Sequence, residues 1–284
     1  MLGMTTTRTA FVFAGGGSLG AIQVGALREL VRAGERPDFL VGASVGALNA
    51  CFFAGAPDAS GVERLESIWR KLRRSDIFPV GFAGVLRMLG RDSLFDSRHL
   101  RTLVEHNLPM RNLEQATLPV HVVATNLSGA TVVLSSGPAA QAVLASAAIP
   151  VAFPSVRIGD DYLMDGAIAG NTPILTALEL GANRIIVLQT GYACALDGPP
   201  VGFAGLGLHA INLLISNQMA RDVQIIEGKA IVHVTPHLCP LDVSPFDFKH
   251  SEKLIERGAK ATRAWLEAGG LEHADTSAVF EHRH

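Results

Sequence analysis

The chain has 284 residues, 48% hydrophobic and 18% charged, with a formal net charge of −2. That length and apolar content can bury a substantial core and exclude a disordered chain, and the near-neutral balance excludes the basic footprint of a nucleic-acid binder. The cysteines Cys51, Cys194 and Cys239 are odd in number and form no CxxC pair, which argues against a disulfide framework or a zinc site.

A reducing compartment fits that cysteine usage. The N-terminus carries no ordinary secretory signal, and no apolar run reaches the roughly 18 residues of a spanning helix. A soluble, cytoplasmic protein is expected.

In chain order, "TAFVFA" (Thr9 to Ala14) reads as a buried strand. "SLGAIQVGALRELVRAG" follows, with Leu19, Ile22, Val24, Leu27, Leu30 and Val31 near one helical stripe and Gly34 as a stop. "FLVGAS" (Phe39 to Ser44) is a second short strand, and "VGALNACFFAGA" has the small apolar texture of a buried helix. "SGVERLESIWRKLRR" opens with Ser60 and has Glu63 three residues on, the spacing of a capping box. Lys71, Arg73 and Arg74 in its last turn complement the helix dipole and read as a solvated helix end.

"PVHVVATNL" and "ATVVLSS" form a strand pair around a Ser-Gly turn, and "AAQAVLASAA" a helix stopped before Pro150. "RIGDDYLMDG" is a short hairpin around Gly159, Asp160 and Asp161. "TPILTALELGA" and "RIIVLQT" give helix then strand, "AIVHVTP" a late strand, and "HSEKLIERGAKATRAWLEAG" a late amphipathic helix. Alternation of this kind predicts a mainly parallel sheet with helices on both faces. One domain is expected over residues 8–270, with a loose polar tail over 271–284.

Two glycine turns follow two of these strands. Gly15-Gly16-Gly17-Ser18-Leu19-Gly20 matches G-x-G-x-x-G, the dinucleotide fingerprint, between a strand and a helix. That reading also needs an acid at the end of the next strand. Asp38 precedes that strand instead, and the strand end carries Gly42, Ala43 and Ser44. Gly42-Ala43-Ser44-Val45-Gly46 matches G-x-S-x-G, in which the serine sits on a sharp strand-to-helix turn with its hydroxyl exposed. Both turns open at the carboxyl edge of the sheet, so the Gly15–Gly17 amides can face the Ser44 hydroxyl as an oxyanion hole beside a nucleophile.

A serine nucleophile needs a base. His209, His233, His237 and His250 come late enough in the chain to complete a Ser–Asp–His order, with His237 in a loop the best of them and none carrying a motif. Asp165 is the alternative. It precedes Gly166 among Met164, Ala167, Ile168 and Ala169, where partial desolvation would raise its pKa and make it a better base. Taken alone, it reads first as an Asp-Gly turn.

Taken together, these sites resemble the patatin-like phospholipase family. Gly15 to Gly20 resembles the family's oxyanion glycine motif, Gly42 to Gly46 its elbow, and Asp165-Gly166-Ala167 its Asp-Gly-Gly/Ala motif. "ASAAIPVAFPSV" (Ala145 to Val156) resembles a family segment rich in small residues and prolines, and the match runs in order from about residue 9 to residue 190. The resemblance implies a three-layer α/β/α domain and a Ser–Asp dyad, Ser44 as nucleophile and Asp165 as base, with no catalytic histidine, metal or cofactor. The amides of Gly15, Gly16, Gly17 and Val45 would hold the oxyanion, and Gly20, Gly42, Gly46 and Gly166 would shape the turns. It implies an acyl-enzyme hydrolase of lipid esters, of phospholipase A or lysophospholipase type. An acyltransferase or thioesterase shares the same dyad chemistry. Many family members carry Arg or Lys where this chain has Leu19, which weakens a claim on anionic phospholipids.

"IFPVGFAGVLRMLGRDSLFD" (Ile77 to Asp96) and "GPPVGFAGLGLHAINLLIS" (Gly198 to Ser216) are apolar and glycine-broken. Each reads as core and loop, or as a lid or acyl-chain wall in transient contact with a membrane surface. The expected partner is a lipid or acyl-ester substrate.

Overall fold

Near-continuous apolar runs make strands that are covered on both faces, and Thr9–Phe13 (β1), buried at all five residues, is the first of these. The computed structural model describes residues 7–78, 93–191, 206 and 218–272. After β1 come a 3₁₀ turn, Gly17–Leu19, then α1 (Gly20–Arg32), β2 (Phe39–Ala43), α2 (Val45–Ala54), α3 (Ala59–Lys71) and α4 (Arg98–Asn107). Next are β3 (Val120–Asn126), β4 (Thr131–Leu134), α5 (Ala139–Ser146), β5 (Val156–Ile158), β6 (Asp161–Asp165), α6 (Ala167–Gly170) and α7 (Ile174–Glu179). The described chain ends with β7 (Arg184–Leu188), α8 (Gln218–Ile226), β8 (Ile231–Val234) and α9 (Ser251–Glu267).

Among the described residues the strands form one eight-stranded sheet. Strands β3, β2, β1, β7 and β8 run parallel in that order. The β3–β4, β3–β6 and β5–β6 pairs are antiparallel. Alternation along β1 sends Phe11 and Phe13 to one face, where α1, α2, α3, α5 and α9 pack. Ala10 and Val12 go to the other face, under α7 and α8. The result is the expected three-layer α/β/α architecture with a mostly parallel central sheet.

Helices α1 and α9 approach backbone to backbone. A Cβ on Gly25 would meet the Ile255 carbonyl, and one on Gly258 would lie 2.5 Å from the Ile22 carbonyl. Ion pairs fasten the same surface. Arg28 reaches Glu66 of α3 at 2.9 Å and Glu256 of α9 at 2.8 Å, and Arg263 reaches Glu29 at 3.0 Å.

Three local details differ from the sequence reading. Helix α3 starts one position before Ser60, so Asp58 is its cap and accepts from the Ser60 and Gly61 amides at 2.9 and 3.2 Å. The helix stops at Lys71, which leaves Arg73 and Arg74 exposed in and beside a short 3₁₀ turn. Helix α8 was not anticipated. Of the tail expected over 271–284, residues 273–284 lie outside the described residues.

Candidate active site

Strand β2 ends at Ala43 and α2 begins at Val45, so Ser44 alone makes the turn. It does so at φ 56° and ψ −127°, a conformation that costs a non-glycine residue roughly 1–3 kcal/mol. Close packing holds the strain. A Cβ on Gly46 would meet the Phe13 carbonyl and lie 2.6 Å from the Ala14 carbonyl, and one on Gly42 would lie 2.7 Å from the Ala47 backbone. The first turn of α2 therefore presses directly on the end of β1.

The register of β3 explains which side chain reaches Ser44. Strand β2 pairs with Val120–Val123 of β3, β6 with Ala124–Asn126, and β4 with Val122–Thr125. Because β4 overlaps both, it occupies one edge of β3 and leaves the other to β2 and β6. These two strands run toward each other along that edge and stop on adjacent residues, Ala43 opposite Val123 and Asp165 opposite Ala124. The Ser44 hydroxyl donates to Asp165 Oδ2 at 2.7 Å. At this crowded junction a Cβ on Gly166 would strike the Val123 carbonyl, so position 166 admits only glycine.

Asp165 is 3% exposed. Burial pushes its carboxyl from 3.8 up to about 6, while hydrogen bonds from the Ala167 amide and the Ser44 hydroxyl pull the other way. The Ala167 amide donates to Oδ1 at 2.8 Å. The carboxylate is thus poised for ionisation near neutral pH, with one oxygen fixed by backbone and the other on the serine.

The first glycine turn lies beside this pair. A Cβ on Gly15 would sit 3.2 Å from Ser44 Cβ. The Gly15 amide, however, donates to the Asn171 carbonyl at 3.0 Å, and its carbonyl accepts from Thr190 Oγ1 at 2.7 Å. Gly15 is therefore an anchor, and the expectation of three open amides narrows to Gly16 and Gly17. Among the described residues, the amides of Gly16, Gly17 and Val45 have no intramolecular acceptor. Gly20 carries the start of α1 over the elbow, where a Cβ would lie 2.7 Å from the Val45 side chain. Leu19 is 1% exposed and part of the core, so this side chain has no route to a head group.

A buried polar chain missed in the sequence supports both turns. Gln23 Nε2 donates to the Ala14 and Leu188 carbonyls at 2.7 and 2.8 Å. Asn49 Nδ2 donates to Gln23 Oε1 at 2.8 Å, and Trp69 Nε1 to Asn49 Oδ1 at 2.8 Å. Gln23 and Asn49 are polar residues at fully buried helix positions, the one signal by which the sequence could have marked them. Asn171 and Thr190 carried no signal.

Of the alternative candidates, His237 is half-buried in the loop that follows β8. His233 is buried in β8, three strands from β2, or roughly 14 Å at ordinary strand spacing. His250 lies 3.6 Å from Asp247, and His209 falls outside the described residues. Asp38, the ribose candidate, accepts from the Thr9 amide at 2.6 Å, at the opposite end of β1 from the glycine turn.

Of the two apolar segments, residues 79–92 of the first lie outside the described residues, as does nearly all of Gly198 to Ser216. Phe78 and Phe95, at the flanks of the first, join an aromatic cluster. Phe78 lies 5.2 Å from Phe95, 5.4 Å from Phe153 and 5.6 Å from Phe246 between ring centroids. Phe246 follows Pro245, whose carbonyl accepts from the Ser18 amide of the glycine turn at 2.7 Å.

The fold and site define an α/β protein with a strand–serine–helix elbow bonded to a buried aspartate. Residues 11–178 match the patatin-like phospholipase family, and the chain belongs to that family. A patatin-like phospholipase domain-containing protein of Caenorhabditis elegans is 27% identical over 197 residues, spanning 66% of this chain and 17% of that protein. An uncharacterized NTE family protein of Mycobacterium tuberculosis is 29% identical over 276 residues, 90% of this chain and 46% of that protein. Among solved structures, VipD from Legionella pneumophila aligns over 93% of this chain and 67% of that one, with a TM-score of 0.49 and 15% identity. This chain spans about a sixth of the nematode relative and under half of the mycobacterial one. Among the described residues, no helix is long and apolar enough to cross a membrane.

Proposed function

We propose that this chain is a serine acyl-ester hydrolase acting on lipids, of phospholipase A or lysophospholipase type. The observation that carries the reading is the 2.7 Å hydrogen bond from the strained Ser44 hydroxyl to a desolvated carboxylate. Ser44 Oγ attacks the ester carbonyl as its proton passes to Asp165 Oδ2. The amides of Gly16, Gly17 and Val45 receive the oxyanion, each such donor typically contributing about 2.7–4 kcal/mol. Collapse expels the alcohol, which takes the proton from Asp165 and leaves an acyl-enzyme. Asp165 then draws a proton from water, the hydroxide adds to the acyl carbonyl, and the acid departs as Ser44 regains its proton.

Two measurements test this. A fluorophosphonate probe is expected to leave a single adduct on Ser44, located by mass spectrometry. A folded protein with no adduct there overturns the reading. The pH profile of kcat/KM for a short-chain ester is expected to rise about tenfold per pH unit below a midpoint near 6 and level off above it, because only the ionised carboxylate accepts the proton. A profile flat from pH 4.5 to 8 would remove Asp165 as the base.

A further inference from the structure

In a parallel ladder the amide of one strand bonds the carbonyl one residue before its partner. Leu40, opposite Val120, does this, its amide donating to the Pro119 carbonyl at 2.9 Å. Continued upward, the same pattern would bond the Ser44 amide to the Val123 carbonyl. The structure departs from it. The Ser44 amide donates to Ser146 Oγ at 2.8 Å, and Ser146 Oγ donates to the Val123 carbonyl at 2.5 Å. A fully buried hydroxyl from the last residue of α5 is inserted where the ladder bond would be.

The same turn grips the other half of the site. The Ser146 carbonyl accepts from the Gly166 amide at 3.1 Å, and the Ala148 carbonyl from the Asp165 amide at 3.0 Å. We propose that Ser146 is a positioning residue, its hydroxyl a spacer that keeps β2 off the upper end of β3 and sets Ser44 Oγ against Asp165. The proposal rests on the acyl-hydrolase reading of that pair.

Without the hydroxyl, the Ser44 amide and Val123 carbonyl either stay buried and unpaired or close on each other. Closure draws Ser44 toward β3, and a displacement near 1 Å at a reacting atom can cost about 10²-fold in rate.

The test is the rate of fluorophosphonate labelling and the kcat and KM for a short-chain ester, on wild type, Ser146→Ala, Ser146→Cys and Ser146→Thr. Ser146→Ala is expected to lower the labelling rate and kcat by about 10- to 100-fold with KM within about twofold, and Ser146→Thr to recover at least about a third of the rate. A merely structural role would lower the folded fraction and leave the kcat of the folded enzyme unchanged. If Ser146→Ala does not fold, slow labelling of Ser146→Cys beside fast labelling of Ser146→Thr supports the spacer, and equal rates overturn it. Normal labelling of folded Ser146→Ala, or a Thr variant as slow as Ala, overturns the positioning role alone. Absence of labelling in wild type overturns the hydrolase reading and this proposal with it.

Discussion

Asp165→Asn is expected to abolish turnover and to make the folded protein more stable above pH 6. The amide keeps the acceptor for the Ala167 amide and can donate to Ser44 Oγ, so the local geometry survives. What it loses is the capacity to take a proton, and kcat is expected to fall by at least about 10⁴-fold. Ser44→Ala removes the other partner, and with it both turnover and labelling.

The stability gain follows from linkage. Folding lifts the Asp165 carboxyl from 3.8 to about 6 because burial disfavours the charged form. Its contribution is therefore fully favourable below pH 3.8 and is lost as pH rises through 6, a difference of about 3 kcal/mol by pH 8. Asparagine is neutral throughout and escapes that loss. Denaturant midpoints at pH 8 should favour the variant by up to about that amount, and the two proteins should converge near pH 4. Equal midpoints at pH 8 would refute the desolvated carboxylate; retained activity in the variant would refute the base.

Gly46→Ala is expected to damage both fold and site. The new methyl would be driven into the Phe13 carbonyl and lie 2.6 Å from the Ala14 carbonyl. Both are backbone atoms of the central strand or its immediate extension, which cannot rotate away. Helix α2 must tilt instead, at a cost of typically about 1–3 kcal/mol for an overpacked core position. The tilt carries Ser44 and the Val45 amide with it, so labelling is expected to slow by about 10²-fold. Gly170→Ala is the matched control: a Cβ there meets nothing within 4 Å, and its stability should change by no more than about 0.5 kcal/mol. Thermal unfolding of the three proteins, with labelling rates beside it, decides the matter. A Gly46→Ala protein that melts and labels like wild type would show that close approach does not set the elbow.

Local patterns were legible where local physics decides them. The apolar runs of β1, β2 and β7, the amphipathic stripe of α9 and the glycine turns after β1 and β2 all read correctly, because strand and helix periodicity is carried by neighbouring residues. The cap of α3 lies two residues before the expected Ser60. Ser60 has capping chemistry, but Asp58 stands two residues earlier, and its carboxylate accepts from two first-turn amides.

The sequence by itself determined the layering, through the alternation of strands and helices, and marked Ser44 by its G-x-S-x-G spacing, while Asp165 became its expected partner through the family resemblance. Only the tertiary structure decided how the two meet, 121 positions apart in the chain. That meeting depends on β4 occupying one edge of β3, so that β2 and β6 must share the other and stop head to head. It also decided that Gly15 anchors while, among the described residues, the Gly16 and Gly17 amides have no acceptor, and that a hydroxyl from α5 stands in the β2–β3 ladder. Edge choice, register and the partner of each buried amide are set by segments far apart in sequence, so no local pattern encodes them.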